Sequence, residues 1–143
     1  MTGLDPDRQL PADPRTREIA RELLALVETA PILSPHGHVD PRLLVEDKPY
    51  ADPASLLVTS DHYVTRLLHA AGVPLEQLGP GAEPREAWRV FCGHWHWFHG
   101  TASGQWLRET LVNLLGVDIP PTPEQYDQLV AMLAEPRLRP RAL

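Results

Sequence analysis

The stretch "ILSPHGHVDP", residues 32–41, places two histidines one residue apart directly after a short apolar run. Proline closes both ends of "PILSP", residues 31–35, which predicts a short buried strand. Because alternate residues of a strand face the same side, His36 and His38 at its end can reach one ion or the polar end of a small substrate. A zinc site takes three or four ligands, so two imidazoles alone do not complete one. The alternative, a pair of polar histidines in a loop near a turn, stays open.

Composition sets limits on the class of protein. The chain has 143 residues, of which 43% are apolar and 22% charged, as in an ordinary soluble domain. Its formal charge of −6 argues against a general nucleic-acid binder. The polar, acidic N-terminus resembles neither a signal nor a transit peptide, and no apolar stretch approaches the length of a membrane span. The single cysteine, Cys92, excludes an internal disulfide, so we expect a cytoplasmic protein.

Helical periodicity dominates the chain outside this stretch. It predicts helices over residues 13–30, 53–57, 61–72, 83–100, 103–116 and 122–135. Asp13 is the expected cap of the first, with Pro14 in its first turn. The helix over 103–116 has its apolar positions at Trp106, Leu107, Leu111, Leu114 and Leu115. A single strand among so many helices has no neighbour that satisfies its backbone donors and acceptors. The C-terminal "RPRAL" also carries no capping or turn signal. We therefore expect that the chain is a fragment of a larger fold.

The stretch "SDHYVTR", residues 60–66, carries polar groups at the start of a predicted helix. Asp61 is typical of an N-cap, and His62 and Tyr63 follow in the first turn, near the positive end of the helix dipole. This position suits a carboxylate or another anionic group of a substrate. Tyr63 could relay a proton, and Arg66 lies one turn further on. Taken alone, the stretch fits simple capping as well as it fits a binding site.

A third polar stretch, "CGHWHWFHGT", residues 92–101, contains three histidines. On a helix, His94 and His96 would lie about 200° apart and could not share an ion, whereas His96 and His99 would be neighbours. The interpretation that we favour is packing by the aromatic residues, with the histidines at the edge of the packed face. Cys92 fits a small buried residue.

In their order and spacing, "PILSPHGHVDPRLL", "DHYVTRLLHAAGVPLEQLG" and "FCGHWHWFHGTASGQWLRETLVNLLGVD" resemble the uronate (glucuronate) isomerases of the amidohydrolase superfamily, over residues 14–143. The resemblance implies an α/β fold, the N-terminal part of a (β/α)8 TIM-type barrel, mostly helical here with one short barrel strand. Residues 1–143 would then be an incomplete single domain. Its residues 14–40 would hold the first helix and the first barrel strand, and residues 41–143 would form a helical insertion beside the barrel mouth.

The same resemblance implies an aldose–ketose isomerase of hexuronate catabolism. It would interconvert D-glucuronate and D-fructuronate, or galacturonate and tagaturonate, by proton transfer between C2 and C1 through an enediol. His36 and His38 would bind a divalent metal, zinc first among the candidates, with its necessity for catalysis left open. His62 and Tyr63 would be catalytic and contact the substrate, and Arg66 would help to bind it. The implied partner is a small hexuronate, with neither nucleic acid nor membrane, and homo-oligomer formation is left open.

Two other functions compete with this one. A metal-dependent hydrolase of the same superfamily would share the His-x-His pair, but it has no need of the "DHY" helix start. A non-catalytic helical binding domain would instead fold cooperatively as an isolated chain of 143 residues. The fragment interpretation predicts the reverse: the isolated chain exposes apolar faces, aggregates or stays partly disordered, and has no isomerase activity.

Overall fold

Seven α-helices occur in residues 4–33, 39–117 and 120–142, the parts of the chain that the computed structural model describes. They are α1 (Pro14–Val27), α2 (Pro41–Glu46), α3 (Pro53–Leu57), α4 (His62–Ala70), α5 (Pro84–Gly93), α6 (Ala102–Glu109) and α7 (Tyr126–Leu133). Short 3₁₀ turns occur at Leu75–Gln77, Trp95–Phe98, Pro123–Gln125 and Pro136–Leu138. None of the helices in these ranges has both the length and the apolarity needed to cross a membrane.

Asp-Pro pairs start three of the helices. In α1, α2 and α3, an aspartate side chain accepts a hydrogen bond from a backbone N–H of the first turn, and a proline occupies the first helical position. Proline suits this position because its missing N–H would have no partner inside the helix. The structure confirms the predicted starts of α1 and α3. It adds α2, capped by Asp40, a helix that the periodicity did not predict.

The predicted short strand over residues 31–35 is wrong for the part that the structure describes. Residues 31–33 have no regular secondary structure, and the described residues contain no strand at all. The physical reason is pairing: a strand needs a neighbour to satisfy its backbone N–H and C=O groups, and no described segment supplies one. The rest of this stretch, residues 34–38 with His36 and His38, lies outside the described residues.

The helix predicted over residues 83–100 is interrupted at His94. There α5 ends, and the backbone continues as the 3₁₀ turn Trp95–Phe98. The N–H of His94 donates to the carbonyls of Val90 and Phe91, both at 3.1 Å, and the ring Nδ1 lies 2.8 Å from the Val90 carbonyl oxygen. The ring thus contacts the carbonyl that closes the last turn of α5. This local contact accompanies the early end of the helix.

The helices predicted over residues 103–116 and 122–135 are present with altered ends. After α6 the backbone widens into a π-helical turn, Thr110–Leu114, in which the N–H of Leu115 donates to the carbonyl of Thr110 at 3.0 Å. Gly116 then adopts a φ of 63°, which ends the element. The last of these helices begins as the 3₁₀ turn Pro123–Gln125 before it continues as α7.

The chain divides into two compact units, Met1–Val39 and Asp40–Leu143. In the first unit, α1 has no buried residue, and its large apolar side chains are exposed to water. They are Ile19, Leu23, Leu24, Leu26 and Val27. An ion pair between Arg21 and Asp7 ties α1 to the preceding segment, and this hydrogen bond lowers the pKa of the Asp7 carboxyl.

The second unit has an aromatic core. The ring of Phe91 lies between those of Trp88, Trp95 and Phe98, with ring centres 5.3–5.6 Å apart. All four side chains are buried. The indole N–H of Trp88 donates to the carbonyl of Thr122 at 3.0 Å, so the polar edge of this buried ring is satisfied. Helices α3, α5 and α7 pack around this core, and α4 contacts the turn Trp95–Phe98.

Candidate functional site

The first turn of α4 is held by Asp61. Its backbone is extended, and its carboxylate accepts a hydrogen bond from the N–H of Tyr63 at 2.8 Å. The hydroxyl of Thr65 donates to the Asp61 carbonyl at 3.2 Å. Val64 and Leu68, both fully buried, fix the inner face of the helix. The predicted N-cap is therefore confirmed, and Asp61 orients the backbone that carries the neighbouring polar side chains.

Three predicted site residues lie together on the outer face of α4. The rings of His62 and Tyr63 have centres 4.2 Å apart, and the guanidinium carbon of Arg66 lies 5.7 Å from the Tyr63 ring centre. All three side chains are exposed. The structure thus brings an imidazole, a phenol and a guanidinium to one accessible surface at the positive end of a helix. Such a surface can bind a carboxylate and exchange protons with its neighbours.

Trp106 lies beside this group, although the sequence pattern did not predict it there. The sequence shows Trp106 only as an apolar position of a predicted helix, and in the structure the residue is 58% exposed. Its ring lies 6.3 Å from that of Tyr63, at 76°, in an edge-to-face arrangement. Helical periodicity shows which residues share a face, but not whether another element covers that face. No signal in the sequence separated Trp106 from the core tryptophans Trp88 and Trp95.

The three histidines after α5 do not form a metal site. Among the residues that the structure describes, no three His, Cys, Asp or Glu side chains are grouped closely enough to hold an ion. The His99 ring packs against the buried Trp95 at 6.4 Å, and the His96 ring lies 6.2 Å from that of Trp97. This arrangement fits the packing interpretation that the sequence favoured.

An open cleft of about 500 Å³ lies between the turn Trp95–Phe98 and the start of α6. Its lining combines two buried aromatic rings with polar groups that include His99, Gln105 and Arg108. The cleft does not include His62, Tyr63 or Arg66. The cleft is therefore lined by a different set of residues from the α4 group.

Cys92 on α5 is partly buried, and burial raises the pKa of its thiol to about 12, with a further contribution from the charge of Glu124. The thiolate is the nucleophilic and metal-binding form of cysteine, and it is scarce at neutral pH when the pKa is so high. Cys92 is thus a packing residue, as the sequence indicated.

Comparison with known proteins extends these observations. A family model described as glucuronate isomerase matches residues 15–143. The chain belongs to the glucuronate isomerase family. It is 48% identical to a uronate isomerase of Corynebacterium efficiens over 147 residues, which cover 96% of this chain and 31% of that protein. It is 50% identical to the uronate isomerase of Rhizorhabdus wittichii over 146 residues, or 98% of this chain and 31% of that protein.

Solved structures of the glucuronate isomerase family agree with the helical architecture. The crystal structure of glucuronate isomerase from Caulobacter crescentus superposes with a TM-score of 0.85 at 39% identity, covering 98% of this chain and 32% of that one. Uronate isomerase from Thermotoga maritima superposes with a TM-score of 0.72 over 96% of this chain and 29% of that one; its identity of 24% supports the fold alone. The chain thus spans about a third of the length of its relatives.

Proposed function

We propose that the whole protein is an isomerase that interconverts D-glucuronate and D-fructuronate, and the corresponding galacturonate and tagaturonate. One observation carries the proposal. His62, Tyr63 and Arg66 form an exposed group at the start of α4, in a chain that the glucuronate isomerase model matches over residues 15–143. A uronate offers a carboxylate, a carbonyl and hydroxyls, and this group offers a cation and two groups that can exchange protons.

The reaction moves protons without a net change of oxidation state. The proton on C2 leaves and a proton is delivered to C1, while the hydroxyl proton on O2 is lost and O1 gains one, through a cis-enediol. In our proposal Tyr63 and His62 hold and transfer protons at these oxygen and carbon atoms. Arg66 and the N-terminus of α4 bind the carboxylate of the substrate by charge. Asp61 keeps the first turn of α4 in place, and Tyr63 and His62 with it.

His36 and His38 would hold a divalent metal, with zinc as our first candidate. Imidazole nitrogens suit zinc, and two of them leave coordination positions for ligands elsewhere in the whole protein. A bound ion would polarise the carbonyl and hydroxyl oxygens of the sugar. The proton transfers above are assigned to the side chains of this chain.

For the fold, we propose that the first unit opens a (β/α)8 barrel, with α1 as a barrel helix. The segment after α1, which is irregular over residues 31–33 here, would form the first strand only when its pairing partners are present. The pairing partners of that strand would lie in the part of the whole protein that these residues do not include. Residues 41–143 would then form a helical insertion beside the barrel mouth. This arrangement accounts for the exposed apolar face of α1 and for the missing strand partner.

Incubation of the whole protein with D-glucuronate in D₂O tests the proposal. We expect NMR signals of the ketose and deuterium at its C1, because the proton removed from C2 exchanges with solvent before a proton is delivered to C1. Arg66→Met should raise KM, whereas Arg89→Met, which removes an exposed arginine that pairs with Glu86 on α5, should leave it unchanged. Cleavage of amides or lactones without ketose formation would reject the isomerase in favour of a hydrolase. We expect the isolated chain of 143 residues to be inactive.

A further inference from the structure

Trp106 is the most exposed tryptophan of the chain. Its side chain is 58% exposed, whereas Trp88 and Trp95 are buried and Trp97 is 46% exposed. The exposed Trp106 ring lies beside the candidate site, where an aromatic face can support a neighbouring side chain.

The partner of Trp106 is a candidate catalytic side chain. Its ring meets the Tyr63 ring edge to face, with centres 6.3 Å apart, an arrangement that the quadrupoles of two aromatic rings favour. His62 and Arg66 also contact the Tyr63 ring, but both belong to α4. Trp106 belongs to α6, so it supports the ring from a second element.

The helix cap does not fix the orientation of the Tyr63 phenol, and the contact with Trp106 restricts it. Asp61 fixes the backbone N–H of Tyr63, but the direction of the phenol depends on two side-chain torsions. Tyr63 remains 44% exposed, so packing does not enclose its ring. A proton-transfer group must hold its direction closely, because a displacement of about 1 Å can reduce the rate about a hundredfold.

Helix α6, which carries Trp106, is itself held firmly by the core and by its N-cap. Leu107, the next residue along the chain, and Leu111, in the π-helical turn that follows α6, are buried in the core. The Thr101 hydroxyl caps α6 by accepting a hydrogen bond from the N–H of Gly104 at 3.0 Å. Because α6 is held in place in this way, the backbone from which the Trp106 ring projects is fixed. A positioning role requires this.

We infer that Trp106 is a positioning residue for Tyr63, holding the phenol in the direction that it needs for proton transfer to the hexuronate. The inference rests on the proposed isomerase function. Trp106 acts through Tyr63 and need not contact the reacting atoms. Its loss should therefore lower kcat more than it raises KM.

The test compares variants of the whole protein in D-glucuronate isomerisation. Trp106→Ala should lower kcat about tenfold to a hundredfold and change KM by less than about threefold. Trp106→Phe keeps an aromatic edge and should recover most of this loss. Trp97→Ala is the matched control, since it removes an exposed tryptophan whose ring neighbour is His96, and it should leave kcat unchanged.

A double-mutant cycle with Tyr63→Phe separates positioning from a general loss of stability. This variant keeps the ring and removes the hydroxyl, so Trp106→Ala should cost little more in that background. Equal losses in both backgrounds, or full activity of Trp106→Ala, would overturn the inference and leave the isomerase function intact. A wild-type protein that does not convert uronates would overturn both.

Discussion

Gly104 of α6 lies directly against the backbone of Phe98. A Cβ atom at position 104 would overlap the carbonyl oxygen of Phe98 and lie 2.8 Å from its carbonyl carbon. The two nearest atoms belong to the Phe98 backbone, so they cannot turn away as a flexible side chain would. This contact sets the spacing between the turn Trp95–Phe98 and the helix that carries Trp106.

Gly104→Ala should therefore destabilise the protein by about 3 kcal/mol, the upper range for overpacking a fixed site. It should also lower isomerase activity, because α6 must shift and Trp106 shifts with it. Gly93→Ala is the matched control: it ends α5, and no atom lies within 4 Å of its added Cβ. There alanine should stabilise by about 0.5 kcal/mol. Denaturant unfolding of the whole protein measures the free energy of unfolding of both variants. Equal stability of the two would contradict the close contact between Gly104 and Phe98.

Removal of the cap on α4 should affect stability and activity together. Asp61→Ala loses the acceptor for the Tyr63 N–H and should cost about 1 kcal/mol. It should also lower kcat, because the first turn of α4 carries His62 and Tyr63. Asp61→Asn keeps an oxygen acceptor and should therefore retain most of the stability and most of the kcat.

The control for this pair is Asp13→Ala, which removes the equivalent cap from α1. It should weaken α1 and leave kcat for D-glucuronate unchanged. Thermal unfolding and steady-state kinetics of the whole protein give the two measurements. If Asp13→Ala lowered kcat as much as Asp61→Ala, the effect would be one of general stability and not of the α4 site.

Local signals predicted the features that depend on a few neighbouring residues. The Asp-Pro pair at Asp13 and the N-cap at Asp61 need only the adjacent backbone, and the structure contains both. The grouping of His62, Tyr63 and Arg66 follows from helix geometry in the same way. These predictions required no knowledge of the rest of the fold.

Features that depend on distant segments were not predictable. A strand over residues 31–35 needs a partner, and its pattern alone could not show whether one is present. The exposure of Trp106 depends on what covers α6, so its apolar character could not show whether the ring is buried. The break at His94 combines a local ring contact with the packing of Trp95. His36 and His38 lie outside the described residues, so their metal-binding role stays a prediction.

Alkaline pH should reveal the burial of Cys92. The folded pKa is about 12, above the ordinary thiol value, so between these two values the folded state binds more protons than the unfolded state. Stability then falls as the pH rises through this range. Cys92→Ala removes this contribution, so its unfolding free energy should decline less steeply above about pH 9.

Peptide mapping after iodoacetamide treatment at pH 8 should also show slow labelling of Cys92 in the native protein and fast labelling after denaturation.

Charged substitutions on the apolar face of α1 should reduce aggregation of the isolated chain but destabilise the whole protein. Leu23 and Leu26 lie one turn apart and are 60% and 78% exposed, although helices normally bury such a face. In the isolated chain of 143 residues, Leu23→Glu with Leu26→Glu should reduce aggregation, because charge replaces exposed apolar surface. In the whole protein the proposed barrel covers this face. There the same pair should lower stability by more than about 3 kcal/mol, since each leucine contributes about 1.5–3 kcal/mol when buried.

Ala25→Glu is the matched control, because position 25 lies on the opposite side of α1. It adds a charge to the same helix and should change neither aggregation of the isolated chain nor stability of the whole protein. Light scattering of the isolated chain and thermal unfolding of the whole protein make the comparison. If the double variant left the whole protein as stable as wild type, α1 would remain open to water there, and the barrel proposed around the first unit would have to be abandoned.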